Sequence, residues 1–258
     1  YGQLFSVVKL ASFWYGVIMN MAEYLMFDIV AVLALSYTMT LSNPQPVLTP
    51  LRPTSRLFSP TTVASVVLPV ALNLLFFVLA LRIMEAQDGY VPWPSYCSNA
   101  ANWWELSDNW ETTVIFTTVF LQFITSAAVF TSGATFRQPV WCNVALSAVF
   151  GALFFLTSLL LLTPPSLLTV TFHVASFQYN HQDTSSVVWR RYQEGECSGN
   201  GVGGDPSPSM SLPLRTGLWV LSLVNAALVC LLQRVVVEGA VADWIRRRFP
   251  SERPTFEL

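Results

Sequence analysis

Long apolar runs separated by polar stretches dominate the chain: residues 3–19, 24–41, 61–82, 112–132, 141–163 and 216–237. A bilayer presents about 30 Å of hydrocarbon, which a helix of about 20 apolar residues crosses at about 1.5 Å per residue. The pattern therefore predicts six spanning helices and an all-α membrane protein. Only a tight turn near Met19–Met21 separates the first two runs, which makes them an antiparallel pair. Pro69 falls inside the third and should kink it, because proline removes a backbone donor. The first run has no initiator Met, no positive leader and no cleavage site, so it reads as a helix of the fold and not as a signal peptide. A chain that opens in mid-helix at Tyr1 reads as a piece of something longer.

The connections alternate in charge. Loop 42–60 carries Arg52 and Arg56 without an acid, loop 133–140 carries Arg137, and the 238–258 tail carries Arg246, Arg247, Arg248 and Arg253. On the other side lie an acidic, Trp-rich loop at 83–111 and a long polar loop at 164–215. Basic loops stay cytoplasmic, which places both chain ends there. The cluster Trp93, Trp103, Trp104 and Trp110 reads as an interfacial aromatic belt, with an aromatic ligand site as the alternative. Arg246, Arg247 and Arg248 beside Trp244 could also attract anionic lipid.

Composition narrows the class further. Of 258 residues, 53% are hydrophobic and 11% charged, against roughly 25% charged in a soluble domain. Mean hydropathy is +0.50, and Lys9 is the one lysine. The net charge of -2 leaves no basic face for nucleic acid.

Several apparent motifs dissolve in context. Gly199-Asn200-Gly201-Val202-Gly203-Gly204 spells a dinucleotide fingerprint, but Asp205-Pro206-Ser207-Pro208 follows it where a helix should begin. His173 and His181 have no Cys, Asp or Glu at ligand spacing, so no metal site is expected. Cys97 and Cys197 are the two cysteines on the non-cytoplasmic side. They are a candidate disulfide, with two separate thiols as the alternative; Cys142 and Cys230 read as free.

Asp28 is the acid placed well inside a span. An ionised carboxylate in hydrocarbon costs about 2.5 kcal/mol or more, so it persists only where a partner or a cavity compensates it. Lys9 on the antiparallel neighbour comes to similar depth, and Glu23 precedes Asp28 on its own helix. Two readings follow: a Lys9–Asp28 pair that fixes packing, or an acidic contact for a cation. Gln122, Asn73 and Asn225, also in spans, predict hydrogen bonds between helices.

Longer stretches carry a resemblance. Asn109-Trp110-Glu111-Thr112-Thr113-Val114-Ile115-Phe116, Gln122-Phe123, and Gly133-Ala134-Thr135-Phe136-Arg137-Gln138-Pro139 through Asn143 resemble the eighth and ninth membrane helices of fifth-class P-type ATPases, B branch. Phe27-Asp28-Ile29, Ser42-Asn43-Pro44 and Arg52-Pro53 resemble that family's sixth helix and the following loop. Six spans in order match family helices five to ten, a bundle of P-type ATPase C-terminal type. On that likeness, 1–41 is the hairpin of helices five and six, 42–60 a cytoplasmic loop, 61–82 a span, 83–111 a lumenal loop, 112–163 two spans, 164–215 a lumenal loop, 216–237 the last span and 238–258 a cytoplasmic tail.

The resemblance implies an ATP-driven polyamine or cation transporter of a late endosomal, lysosomal or vacuolar membrane. Asp28 would then line the substrate path. The family's second acid falls where this chain has Met21, and Glu23 or Asn20 are the candidates to replace it; Lys9 is a departure. ATP and Mg would serve the whole pump, whose phosphorylation and nucleotide domains this chain lacks, so the chain alone binds no cofactor, holds no catalytic residue and should be inactive. Its partners would be the bilayer, the N-terminal part of the same pump and the transported cation. The alternatives are an independent six-span channel, a secondary transporter or a membrane scaffold.

Overall fold

A computed structural model describes residues 2–46, 58, 60–98, 106–107, 109–131, 137–164, 166–174, 191, 210–241, 244 and 248. All of the regular structure there is helical apart from a single antiparallel bridge between Pro44 and Arg137.

Helix α1 spans Gly2–Tyr15 and α2 spans Met21–Thr40. Helix α3 covers Pro60–Glu85, α4 Trp110–Phe130, α5 Val144–Leu162, the short α6 Leu167–Thr171, and α7 Leu212–Leu231, which runs on as a π-helix over Leu232–Val241. Five of these, α2, α3, α4, α5 and α7, are long and apolar enough to cross a membrane, and the chain reads as a multi-pass membrane protein. The first expected span, 3–19, is not among them. The described part of α1 is 14 residues, about 21 Å, and the chain leaves the helix at Gly16 and not at 19.

That exit has a local cause. Gly16 takes φ +67°, and Val17 N–H donates to the Ser12 carbonyl while Gly16 N–H donates to Phe13. These two bonds form a Schellman stop, which favours glycine at the left-handed position. Ile18 N–H then bonds Leu106 O, so the turn before α2 occupies 16–20.

The middle of the bundle is α4, with 16 of its 21 residues buried. It packs against α1, α2, α3, α5 and α7. Three of its hydroxyls bond main-chain carbonyls one turn back in the same helix: Thr117 donates to Thr113 O, Thr125 to Leu121 O and Ser126 to Gln122 O. A buried helix can therefore carry threonines without a partner on another helix. The surrounding helices turn large apolar side chains outward, among them Phe13, Trp14, Leu33, Leu75 and Phe155. Such a surface suits lipid and not water.

Helix α3 remains helical through Pro69. Trp93 is buried in the protein and not at an outer belt, while Trp103 and Trp104 lie outside the described residues. So do Arg52, Arg56, Arg246, Arg247 and His181.

Candidate functional site

Helix α2 starts with a capping box. Asn20 accepts from Met21 N–H at 2.6 Å, and Glu23 Oε2 accepts Asn20 N–H at 2.9 Å. Asn20 Nδ2 also donates to Thr171 O on α6 at 3.1 Å. Glu23 is fully buried. The two residues read as stand-ins for a second path acid thus sit in the start of the helix.

One turn later α2 changes geometry. Met26–Ala31 is π-helical, with Val32 N–H reaching back to Phe27 O. A π segment inserts an extra residue into a turn, and such bulges recur at functional sites. Its two faces differ sharply. Phe27 is buried, its ring 4.9 Å from that of Phe120 and 5.9 Å from that of Phe116. Asp28, the next residue, is exposed on the outer face of the bundle, along a stripe of Met21, Leu25, Ile29, Leu33 and Tyr37. Glu23 and Asp28 therefore belong to opposite sides of α2, and the fold does not gather them into one site.

Lys9 belongs with aromatics. Its Nζ donates to the Tyr24 hydroxyl at 2.6 Å and lies 4.4 Å from the Tyr24 ring centre and 5.2 Å from that of Phe5. An ammonium beside two ring faces gains cation–π attraction. The α1–α2 hairpin thus holds a positive charge in an aromatic setting on the helix pair that carries Asp28.

Two carboxylate–tyrosine pairs went unread in the sequence. Tyr15 donates to Glu85 Oε1 at 2.6 Å, and Arg82 pairs with Glu85 at 2.8 Å. Glu111, almost wholly buried at the start of α4, accepts the Tyr90 hydroxyl at 2.9 Å and Trp93 N–H at 2.8 Å on one oxygen. Burial first, and then the Glu111 charge, hold the Tyr90 hydroxyl protonated well above the ordinary tyrosine range. These contacts fasten the loop after α3 onto α4. Cys97, buried in the same loop, is disulfide-bonded; Cys197 lies outside the described residues. Cys142 and Cys230 are free and exposed.

The three intramembrane amides do meet, as their chemistry predicts. Gln122 Nε2 donates to the Asn73 main-chain carbonyl at 2.8 Å, and Asn225 Nδ2 donates to Asn73 Oδ1 at 2.9 Å. Helices α3, α4 and α7 are joined there.

No family profile matches the chain. Among curated proteins, it is 26% identical over 168 residues to the human "Probable cation-transporting ATPase 13A5", a match taking in 57% of this chain and 14% of that protein. It is 27% identical over 164 residues to the mouse "Probable cation-transporting ATPase 13A4", covering 55% of this chain and 14% of the relative. The matched stretch is thus about one-seventh of the length of these relatives. An apolar helical bundle and this partial likeness together support a relationship to the P-type cation-transporting ATPases.

Proposed function

We propose that this chain is the C-terminal membrane part of an ATP-driven polyamine or cation transporter of the fifth-class P-type ATPases, B branch, with its helices corresponding to family helices five to ten. It supports the membrane bundle and contributes Asp28 to the substrate path. ATP and Mg act in the phosphorylation and nucleotide domains of the whole pump, and the partners of this part are the bilayer, those remaining domains and the transported cation. The host membrane is late endosomal, lysosomal or vacuolar, with the C-terminus cytoplasmic and the arginine tail near anionic lipid.

The observation that carries this reading is the placement of Asp28. A carboxylate eight residues into an apolar helix costs several kcal/mol against lipid, yet it stands on the outward face of a π-helical turn pinned from behind by Phe27. Charged groups at that depth face a partner or a water-filled route. The test uses the full-length pump. Asp28→Asn should leave assembly and thermal stability intact and weaken polyamine-stimulated ATPase activity; Lys9→Met should spare or improve it. Normal stimulation in a well-folded Asp28→Asn pump would remove Asp28 from the path. The 258-residue chain alone should lack vanadate-sensitive ATPase activity.

A further inference from the structure

The amide cluster of Asn73, Gln122 and Asn225 is more than a clasp. All three side chains are at least nine-tenths buried, on three different helices. Gln122 Oε1 and Asn225 Oδ1 have no donor among the described residues. A buried amide oxygen left without a donor is costly, and here the two residues that carry one share a single partner, Asn73, through their amide nitrogens. We propose that Gln122 and Asn225 hold a single water molecule, bridging α4 to α7 inside the bundle.

The choice of water follows from what each amide can offer. Gln122 must turn its nitrogen to the Asn73 carbonyl, since two oxygens cannot bond there, so its oxygen is fixed as an acceptor. Asn225 and Asn73 can be rotated together, with Asn73 Nδ2 then donating to Asn225 and the Ser126 hydroxyl turning to Asn73. The free end of Asn225 is an acceptor in one arrangement and a donor in the other. Water, which both donates and accepts, fits either; a metal cation or an ammonium group fits only the first. The cluster's side chains are also neutral, so they offer no counter-charge for a buried cation. A buried water with two or more polar partners is an ordinary component of protein interiors.

Two measurements on the full-length protein in lipid nanodiscs test the site. A density map should contain an isolated peak about 2.7–3.2 Å from both the Gln122 and Asn225 amide groups. The Tm at fixed ionic strength should agree within about 1 °C in sodium, potassium and N-methylglucamine salts. Asn225→Asp, which buries a charge beside that water, should lower the Tm in all three. A Tm that climbs with sodium or potassium, and climbs further in Asn225→Asp, marks a cation and overturns the proposal. So does a map with both amides ordered and no peak between them. If Asn225→Asp does not fold, the wild-type map and salt series still decide.

Discussion

Asn143 donates to the carbonyl of Thr38 at 2.8 Å, across 105 residues of chain, while its own Oδ1 caps the start of α5 at Leu146 N–H. The same nitrogen reaches Ser42 Oγ at 3.2 Å. One side chain therefore begins one helix and closes another. Asn143→Ala should cost about 2–3 kcal/mol, combining a lost cap with the lost buried bond to Thr38. Asn143→Ser keeps a capping oxygen but cannot reach Thr38, and should recover about half of that. Thermal unfolding in detergent, comparing the two variants, checks the order.

Gly16 permits no side chain. Its φ is +67°, and a Cβ there would lie 2.6 Å from Ser95 Oγ and 2.9 Å from Ser95 Cβ. Gly16→Ala should lower stability by about 1–3 kcal/mol, through the left-handed backbone and the collision together. Adding Ser95→Gly should relieve the collision and leave the backbone penalty. A double-mutant cycle with clear coupling is the expected result.

The Tyr90–Glu111 contact predicts alkaline sensitivity. Tyr90 has a folded-state pKa above its unfolded one, so its contribution is complete below about pH 10, where both states keep the proton. Above that, the unfolded chain ionises first and stability falls, by up to about 1.4 kcal/mol per pH unit. Wild type should therefore lose stability relative to Tyr90→Phe as pH rises past about 10, and the two should run parallel between about pH 8 and 9. Glu111→Ala, which strands the Tyr90 hydroxyl and Trp93 N–H, should cost about 2–4 kcal/mol at neutral pH.

Glu23 and Asp28 should separate cleanly in experiment. Glu23→Ala breaks the capping box and should cost about 1–2 kcal/mol, with Glu23→Gln rescuing it because glutamine fills the same role. Asp28→Asn should leave stability unchanged. Chemical denaturation of the three variants decides, and a loss of stability in Asp28→Asn matching that of Glu23→Ala would place Asp28 in packing.

What the sequence made legible is what lipid demands. Apolar length located α2, α3, α4, α5 and α7 to within a few residues, and the amides at 73, 122 and 225 pointed to hydrogen bonds between helices, because a polar side chain in hydrocarbon needs a partner inside the protein. The π turn had no such signal: Met26–Ala31 contains neither glycine nor proline. Glu23 did carry one. Asn20-x-x-Glu23 ahead of an apolar run is a helix-start signature, and the capping box does form there. Depth along a helix put Lys9 level with Asp28, but depth leaves rotation open, and the described contacts of Lys9 are with Tyr24 and Phe5. The pairs Tyr15–Glu85 and Tyr90–Glu111 depend on how distant segments pack, which no local pattern encodes.

The bridge between Pro44 and Arg137 has a mechanical consequence. Together with the bond from Gln138 N–H to Asn43 O and the Asn143 contacts to Thr38 and Ser42, it ties the end of α2 to the segment leading into α5. Helix α2 cannot slide along its axis without dragging that segment. A displacement of α2 along its axis near Asp28 would therefore be passed to residues 137–143.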